Sequence, residues 1–374
     1  MKVLGLASYP VEAAATRYRL AQFVGPLADR GITLTIRPFL DSKLFARLYR
    51  PGGVPGKAVT LAMSALRRMK DLLLLNQAEV VLIQREAMIL GPPLVEWLAV
   101  RVLRRPMVLD LDDATYVSYT SPTYGRLGKT LKWFSKTDDL IRWASIVTCG
   151  NRAIAEYAES KGATTCIIPT VVDAEVFRPA PDAARSPTEP LVLGWIGTHS
   201  TFPYLEAIFP VLQKLAGAHH FKLRIVGAGK EAVEVPGVEV ETLKWKLERE
   251  VADFQSFDIG LYPIDPTLYA EKWAAGKSGF KAIQYMAVGI PFVAAPVGAM
   301  AEIGKPGATH LHAVTNDEWR EALASLLSSE RLREKMGAAG REHVLEYYSL
   351  GDQAEKLAEA LRQAAGNKAT SKQI

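Results

Sequence analysis

The chain has 374 residues, 49% hydrophobic and 23% charged, with 45 Lys/Arg against 40 Asp/Glu. At about 150 residues per domain this excludes a disordered or fibrous chain and leaves room for two cores. Cys149 and Cys166 lie outside any C-x-x-C or Cys/His cluster, which excludes a disulfide scaffold and a zinc module and implies a reducing, cytoplasmic setting.

In chain order, Lys2–Ala7 reads as a first strand rather than a leader, because Ser8-Tyr9-Pro10 and Glu12 end its apolar run. Gly91-Pro92-Pro93 and Glu96 break the stretch 87–100, so no run reaches membrane-spanning length. Strands are predicted at 2–7, 32–38, 79–84, 107–111, 146–149 and 165–168, alternating with helical spacing at 17–30, 57–76, 94–103, 127–144 and 152–160. A second series has strands at 191–197, 222–226, 238–241, 257–262 and 292–295, and helices at 204–216, 248–256, 279–288 and 317–327. Further helices are predicted at 331–347 and 352–363, before a polar tail from Gly366. Alternation of this kind specifies βαβ units around parallel sheets. The Pro/Ala/Ser-rich stretch at 178–190 separates an N-terminal domain, 1–178, from a second at 191–347, with 179–190 as linker and 348–374 as C-terminal helix and tail. The fold class is α/β, two Rossmann-like domains with ligands at the carboxyl ends of the strands.

Charge is unevenly spread: residues 1–180 carry 24 Lys/Arg against 16 Asp/Glu, and 181–374 carry 21 against 24. Lys43, Arg47, Arg50, Lys57, Arg67, Arg68 and Lys70 follow one another with no acid, interleaved with Leu44, Phe45, Leu61 and Met63. The stretch suits an anionic membrane surface; it also suits a solvated helix face with a buried apolar side. No RNP-type or helix-turn-helix pattern accompanies it, so nucleic acid is not an expected partner.

Three constellations carry chemistry. A helix start at Gly279, bracketed by Lys277 and Lys281 with Gln284 one turn on, makes either an anion site for a diphosphate and sugar hydroxyls or a plain strand–loop–helix. Asp112 and Asp113 follow a buried strand, where a carboxylate stabilises developing positive charge or caps the loop. Arg17 and Arg19 open the first helix against its dipole, which a ligand anion or a salt bridge to the Asp112-Asp113 loop would explain.

The segment GKSGFKAIQYMAVGIPFV, 276–293, resembles the donor-nucleotide motif of glycosyltransferase family 4, with Gly276 and Gln284 at the positions of the family's two glutamates. IIPTVVDAEVFRP at 167–179, LGWIG at 193–197, FKLRIVGAG at 221–229 and LREKMGAAGREHVLEYYS at 332–349 resemble other family segments. The resemblance implies the GT-B fold, two Rossmann-like α/β/α domains facing across a cleft with a C-terminal helix returning to the first. It implies a metal-independent, retaining transfer of a sugar from a nucleotide diphosphate to a glycan or lipid-linked acceptor, with no cofactor. Donor-binding residues would be Gly197, Thr198, His199, Lys277, Gly279, Phe280, Lys281, Gln284 and Glu302. Asp112 and Asp113 would be catalytic, and Arg17 and Arg19 would meet the acceptor. Gly197-Thr198-His199-Ser200 stands where many members carry an Arg/Lys phosphate clamp, and with the absent glutamates this leaves a catalytically silent binding protein as the alternative; an epimerase of similar fold is a weaker one.

Overall fold

The computed structural model describes residues 1–48, 54–117, 132–181, 189–264 and 275–370. The predicted contributions of Arg50, of the first part of the 127–144 helix and of most of the linker lie outside them. Two compact units are present: Met1–Thr170 with the segment from Gly351 on, and Val171–Leu350.

The first unit holds six parallel strands, β1 (Lys2–Ala7), β2 (Thr33–Pro38), β3 (Val80–Gln84), β4 (Met107–Leu111), β5 (Ile146–Cys149) and β6 (Thr165–Ile167), in the order β2-β1-β3-β4-β5-β6. Every residue of β3, β4 and β5 is buried, as continuous apolar runs covered on both faces must be. Helices α1 (Ala14–Arg19), α2 (Val24–Ala28), α3 (Ser42–Leu48), α4 (Val54–Leu75), α5 (Leu94–Trp97), α6 (Lys136–Trp143) and α7 (Arg152–Ser160) lie between them. The second unit repeats the plan with β7 (Leu191–Ile196), β8 (Phe221–Val226), β9 (Glu239–Leu243), β10 (Ile259–Tyr262), β11 (Phe292–Ala294) and β12 (Leu311–His312), in the order β12-β11-β10-β7-β8-β9. Its helices are α8 (Phe202–Glu206), α9 (Phe209–Ala216), α10 (Glu250–Gln255), α11 (Phe280–Ala287), α12 (Asn316–Ser328) and α13 (Glu330–Tyr347). The last helix, α14 (Leu350–Thr370), belongs from Gly351 on to the first unit, where Arg30 Nε meets Glu355 at 2.7 Å and Arg362 donates to the Arg30 carbonyl at 3.1 Å.

Two predicted helices are broken. The run 17–30 becomes α1, a single 3-10 turn and α2, because Leu20 leaves helical geometry at φ −128° and ψ −57°, and Pro26 falls in the first turn of α2, where its missing N–H costs nothing. The run 204–216 divides into α8 and α9, each with a proline in its first turn. The 94–103 helix continues past α5 as a π turn, Leu98–Val102, and neither α3 nor the two-residue β12 has a pattern long enough to read.

Candidate active site

In the second unit β7 and β10 are neighbours, while β8 and β9 extend to one side and β11 and β12 to the other. Loops leaving β7 and β10 therefore part at this point, which is where open parallel sheets form ligand crevices. After β7 the Gly197 amide donates to the Val226 carbonyl at 3.0 Å, and Thr198 O accepts from the Thr201 and Phe202 amides, both at 3.0 Å. The tight turn leaves Thr198, His199 and Ser200 exposed at the sheet edge.

The loop after β10 leads into α11 through Gly279, which is left-handed at φ 63° and ψ 11°. A Cβ there would lie 2.3 Å from Ile303 Cδ1, so glycine is required both by conformation and by space. The Ala299 amide donates to Lys277 O at 3.1 Å, fastening the loop to the 3-10 turn Gly298–Ala301, at whose end Glu302 is exposed. Tyr285 anchors the helix beneath. Its hydroxyl lies 3.1 Å from the carbonyl oxygens of both Gly194 and Leu261, and its ring fills the notch where a Cβ on Gly260 would come within 2.6 Å. The far end is held by Arg341, which donates to Ala287 O at 2.7 Å and to the Phe177 and Ala174 carbonyls, both at 2.8 Å. The segments 167–179 and 332–349 thus meet at one guanidinium in support of α11.

Two lysines crowd the start of α11. Burial and then the like charge of Lys277 push Lys281 down to about 8, with Glu250 partly opposing. Gln284 is 3% exposed, and its Nε2 has no partner among the described residues. A buried donor left unpaired costs about 1–3 kcal/mol. Two like charges thus stand at the start of α11, with a buried amide in its second turn. Glu250, buried at the start of α10, has no signal in the sequence beyond an acidic residue in a helix.

In the first unit β1 and β3 flank the corresponding divergence, and the carboxyl edge gathers Ser8, Gln84, Arg85, Asp110, Asp112 and Asp113. Arg85 adopts φ 64°, unusual for a side chain of its size, and its fork grips Asp112 at 2.6 and 2.8 Å. Burial alone would raise the Asp112 pKa, but Arg85 more than offsets it and holds the carboxylate below its ordinary range. Gln84 Nε2 adds a 3.3 Å contact to Asp112. Asp113 is placed differently: it accepts from the Ala114 amide at 3.0 Å and stands 4.0 Å from Arg85, half-buried. The sequence pairs the two aspartates; the structure separates a clamped carboxylate from a rim one.

Arg19 is 3% exposed, its guanidinium spent on both oxygens of Asp110 and on Ile168 O at 2.5 Å. Its salt-bridge partner is thus Asp110, not the Asp112-Asp113 loop. Arg17, half-buried, donates to the Val11 and Glu12 carbonyls at 3.1 and 3.0 Å. Arg68 corrects the reading of the basic segment, because it is 1% exposed and donates to Ala7 O, Arg37 O and Ala87 O at 2.9, 2.9 and 3.0 Å. It is internal architecture and leaves the basic surface to its neighbours.

Two parallel α/β units, each with its residues gathered at a sheet's carboxyl edge, are the architecture of GT-B glycosyltransferases. Residues 210–359 match a family model described as glycosyl transferase-like. Among solved structures the chain is similar to sucrose-phosphate synthase from Thermosynechococcus elongatus, at 14% identity and TM-score 0.69 over 97% of this chain and 98% of that one. A glycosyltransferase from Rickettsia africae is similar at 13% identity and TM-score 0.68, covering 97% and 98%. Anabaena HepE in complex with UDP is similar at 14% identity and TM-score 0.64, covering 97% and 100%. No curated protein sequence matches the chain.

Proposed function

We propose that this chain is a family 4 glycosyltransferase that moves a sugar from a nucleotide diphosphate to a hydroxyl of a glycan or lipid-linked acceptor, with retention and without metal or cofactor. The observation that carries the reading is the start of α11, where Lys277 lies just before the left-handed Gly279 and crowds Lys281 in the first turn, with Gln284 Nε2, buried and without a partner among the described residues, in the second turn. The lysines and first-turn amides absorb the charge of the leaving diphosphate, and Gln284 donates to a ribose hydroxyl in place of the usual glutamate. The Gly197–His199 turn and Glu302 line the same donor side, and Phe280 opens the helix. The UDP complex of the Anabaena neighbour supports a nucleotide donor.

Residues 1–178 serve the acceptor. There Asp113, at the rim, stabilises positive charge at the reacting carbon, and Arg85 and Asp112 hold that edge in shape. No described helix is long and apolar enough to cross a membrane. The basic first half supports a peripheral place on the cytoplasmic face of the membrane, in synthesis of cell-surface polysaccharide or glycolipid.

Melting in the presence of a panel of nucleotide sugars, nucleoside diphosphates and bare nucleosides tests the donor site. At 100 times Kd a ligand adds about 2.7 kcal/mol, which corresponds to roughly 5–10 °C in a domain of this size. Shifts of that order are expected for the diphosphate compounds of one base, and a panel without any shift contradicts the reading.

A further inference from the structure

Helix α4 turns its polar side inward and its apolar side outward. Thr60, Ser64, Arg68 and Asp71 are at most 3% exposed, whereas Val59, Met63, Leu66, Met69 and Leu73 are 53–74% exposed. At 100° per residue those five side chains fall within an arc of about 120°, a continuous stripe rather than scattered apolar residues.

The inward face explains why the helix keeps this orientation. Arg68 binds the carbonyls of Ala7 and Arg37, at the carboxyl ends of β1 and β2, together with Ala87 O, and Asp71 accepts from Arg68 at 3.2 Å and from Arg37 at 2.8 Å. Rotating α4 to bury the stripe would carry a guanidinium and a carboxylate away from all of these partners. The outward face is thus fixed by a charged network, and it rides beside the sheet edge that carries Asp112 and Asp113.

The charges around the stripe are mainly positive, with Asp41 as the acid at the flank. Lys70 is exposed within the arc, Arg67 lies at its flank and meets Asp41 at 2.9 Å, and Lys43 and Arg47 are exposed on α3, which packs against α4. Residues 42–70 contain no acid, and Asp71 faces inward. A second copy of the chain would bring the same cations against these; an anionic bilayer supplies both the apolar layer and the opposite charge.

We propose that α4 is an interfacial docking helix whose stripe Val59–Met63–Leu66–Met69–Leu73 enters the headgroup boundary of an anionic bilayer. Lys70 reaches back to the lipid phosphates, and Lys43 and Arg47 hold the flanks. Resting on the acceptor-side assignment above, the docking narrows the acceptor to one embedded in that bilayer, delivered to the carboxyl edge of β1–β4.

The test is cosedimentation of the full chain with phosphatidylcholine vesicles, with and without phosphatidylglycerol. Alongside it run the Met63→Gln/Leu66→Gln/Leu73→Gln variant and the Lys43→Gln/Arg47→Gln/Lys70→Gln variant. All six positions are exposed, so melting is expected to be unchanged. The wild type is expected to bind phosphatidylglycerol vesicles, and less so as salt rises, since exposed charge is screened over about 8 Å at physiological ionic strength. The apolar variant should lose at least tenfold in partitioning at low salt, and the charge variant should lose the salt dependence. Absence of binding at low salt overturns the proposal, as does an apolar variant that partitions like the wild type. A wild-type dimer that dissociates in the apolar variant, with no vesicle binding, assigns the stripe to self-association and also overturns it. Nucleoside diphosphate binding, measured on the same preparations, separates this outcome from the donor reading: intact nucleotide binding without vesicle binding defeats the docking helix alone.

Discussion

Asp112→Asn is expected to lower the melting temperature by on the order of 10 °C, whereas Asp113→Asn should melt like the wild type and lose about a hundredfold in turnover. Asp112 is buried and gripped by both arms of Arg85, so removing its charge takes away the nearer counterion and leaves only Asp113 at 4.0 Å. Breaking such a pair costs about 3–5 kcal/mol, and in a domain of this size each kcal/mol is worth about 2–4 °C. Asp113 is half-buried at the rim of the same edge, accepting from the Ala114 amide at 3.0 Å and standing 4.0 Å from the guanidinium that Asp112 meets at 2.6 and 2.8 Å, so Asp112 is the closer counterion of Arg85. An electrostatic group acting in the transition state lowers kcat without weakening donor binding. Thermal melts and steady-state kinetics on both variants check this. Unchanged turnover in Asp113→Asn would remove it from the chemistry.

Lys277→Ala and Lys281→Ala should each weaken nucleoside diphosphate binding by tenfold or more while leaving the bare nucleoside nearly unaffected. Charge-assisted hydrogen bonds contribute about 1.5–3 kcal/mol, and the nucleoside offers the lysines no phosphate. The pH dependence follows from Lys281, which in the free protein titrates at about 8 because of burial and Lys277. A bound diphosphate raises that pKa. Below pH 8 the lysine is already charged and affinity is flat; above it, binding must take up a proton, and affinity falls by up to tenfold per pH unit until the pKa of the complex is reached. Calorimetric titrations at several pH values, with both ligands, measure the slope, which Lys281→Ala should abolish. Equal losses for nucleoside and diphosphate contradict a phosphate role.

The strands were legible because buried parallel strands read as short apolar runs, and β1, β4 and β5 fall where the sequence puts them. Gly279 and the start of α11 were legible from a glycine ahead of a periodic run, and the spacing to Lys281 and Gln284 follows from one helical turn. Pairings across long separations were not. Arg19 meets Asp110 across 91 residues, and the grip of Arg85 on Asp112 depends on the adjacency of β3 and β4 and on a backbone conformation that no residue type announces. Helix α4 shows a further limit. Periodicity reveals that a helix has two faces but not which one is inward, and here the choice is made by carbonyls on β1, β2 and the loop after β3, to which Arg68 donates.

Release of nucleoside diphosphate from nucleotide sugars by the purified chain is the most direct measurement of the central claim. It should be followed with the donor that raises the melting temperature most, in the presence and absence of anionic vesicles carrying lipid-linked acceptors. The account predicts slow release without acceptor, faster release with it, a glycosylated lipid product and the same rates in EDTA. Tight diphosphate binding with neither release nor product, across donors and acceptors, would contradict it and identify a silent GT-B protein that binds without transfer.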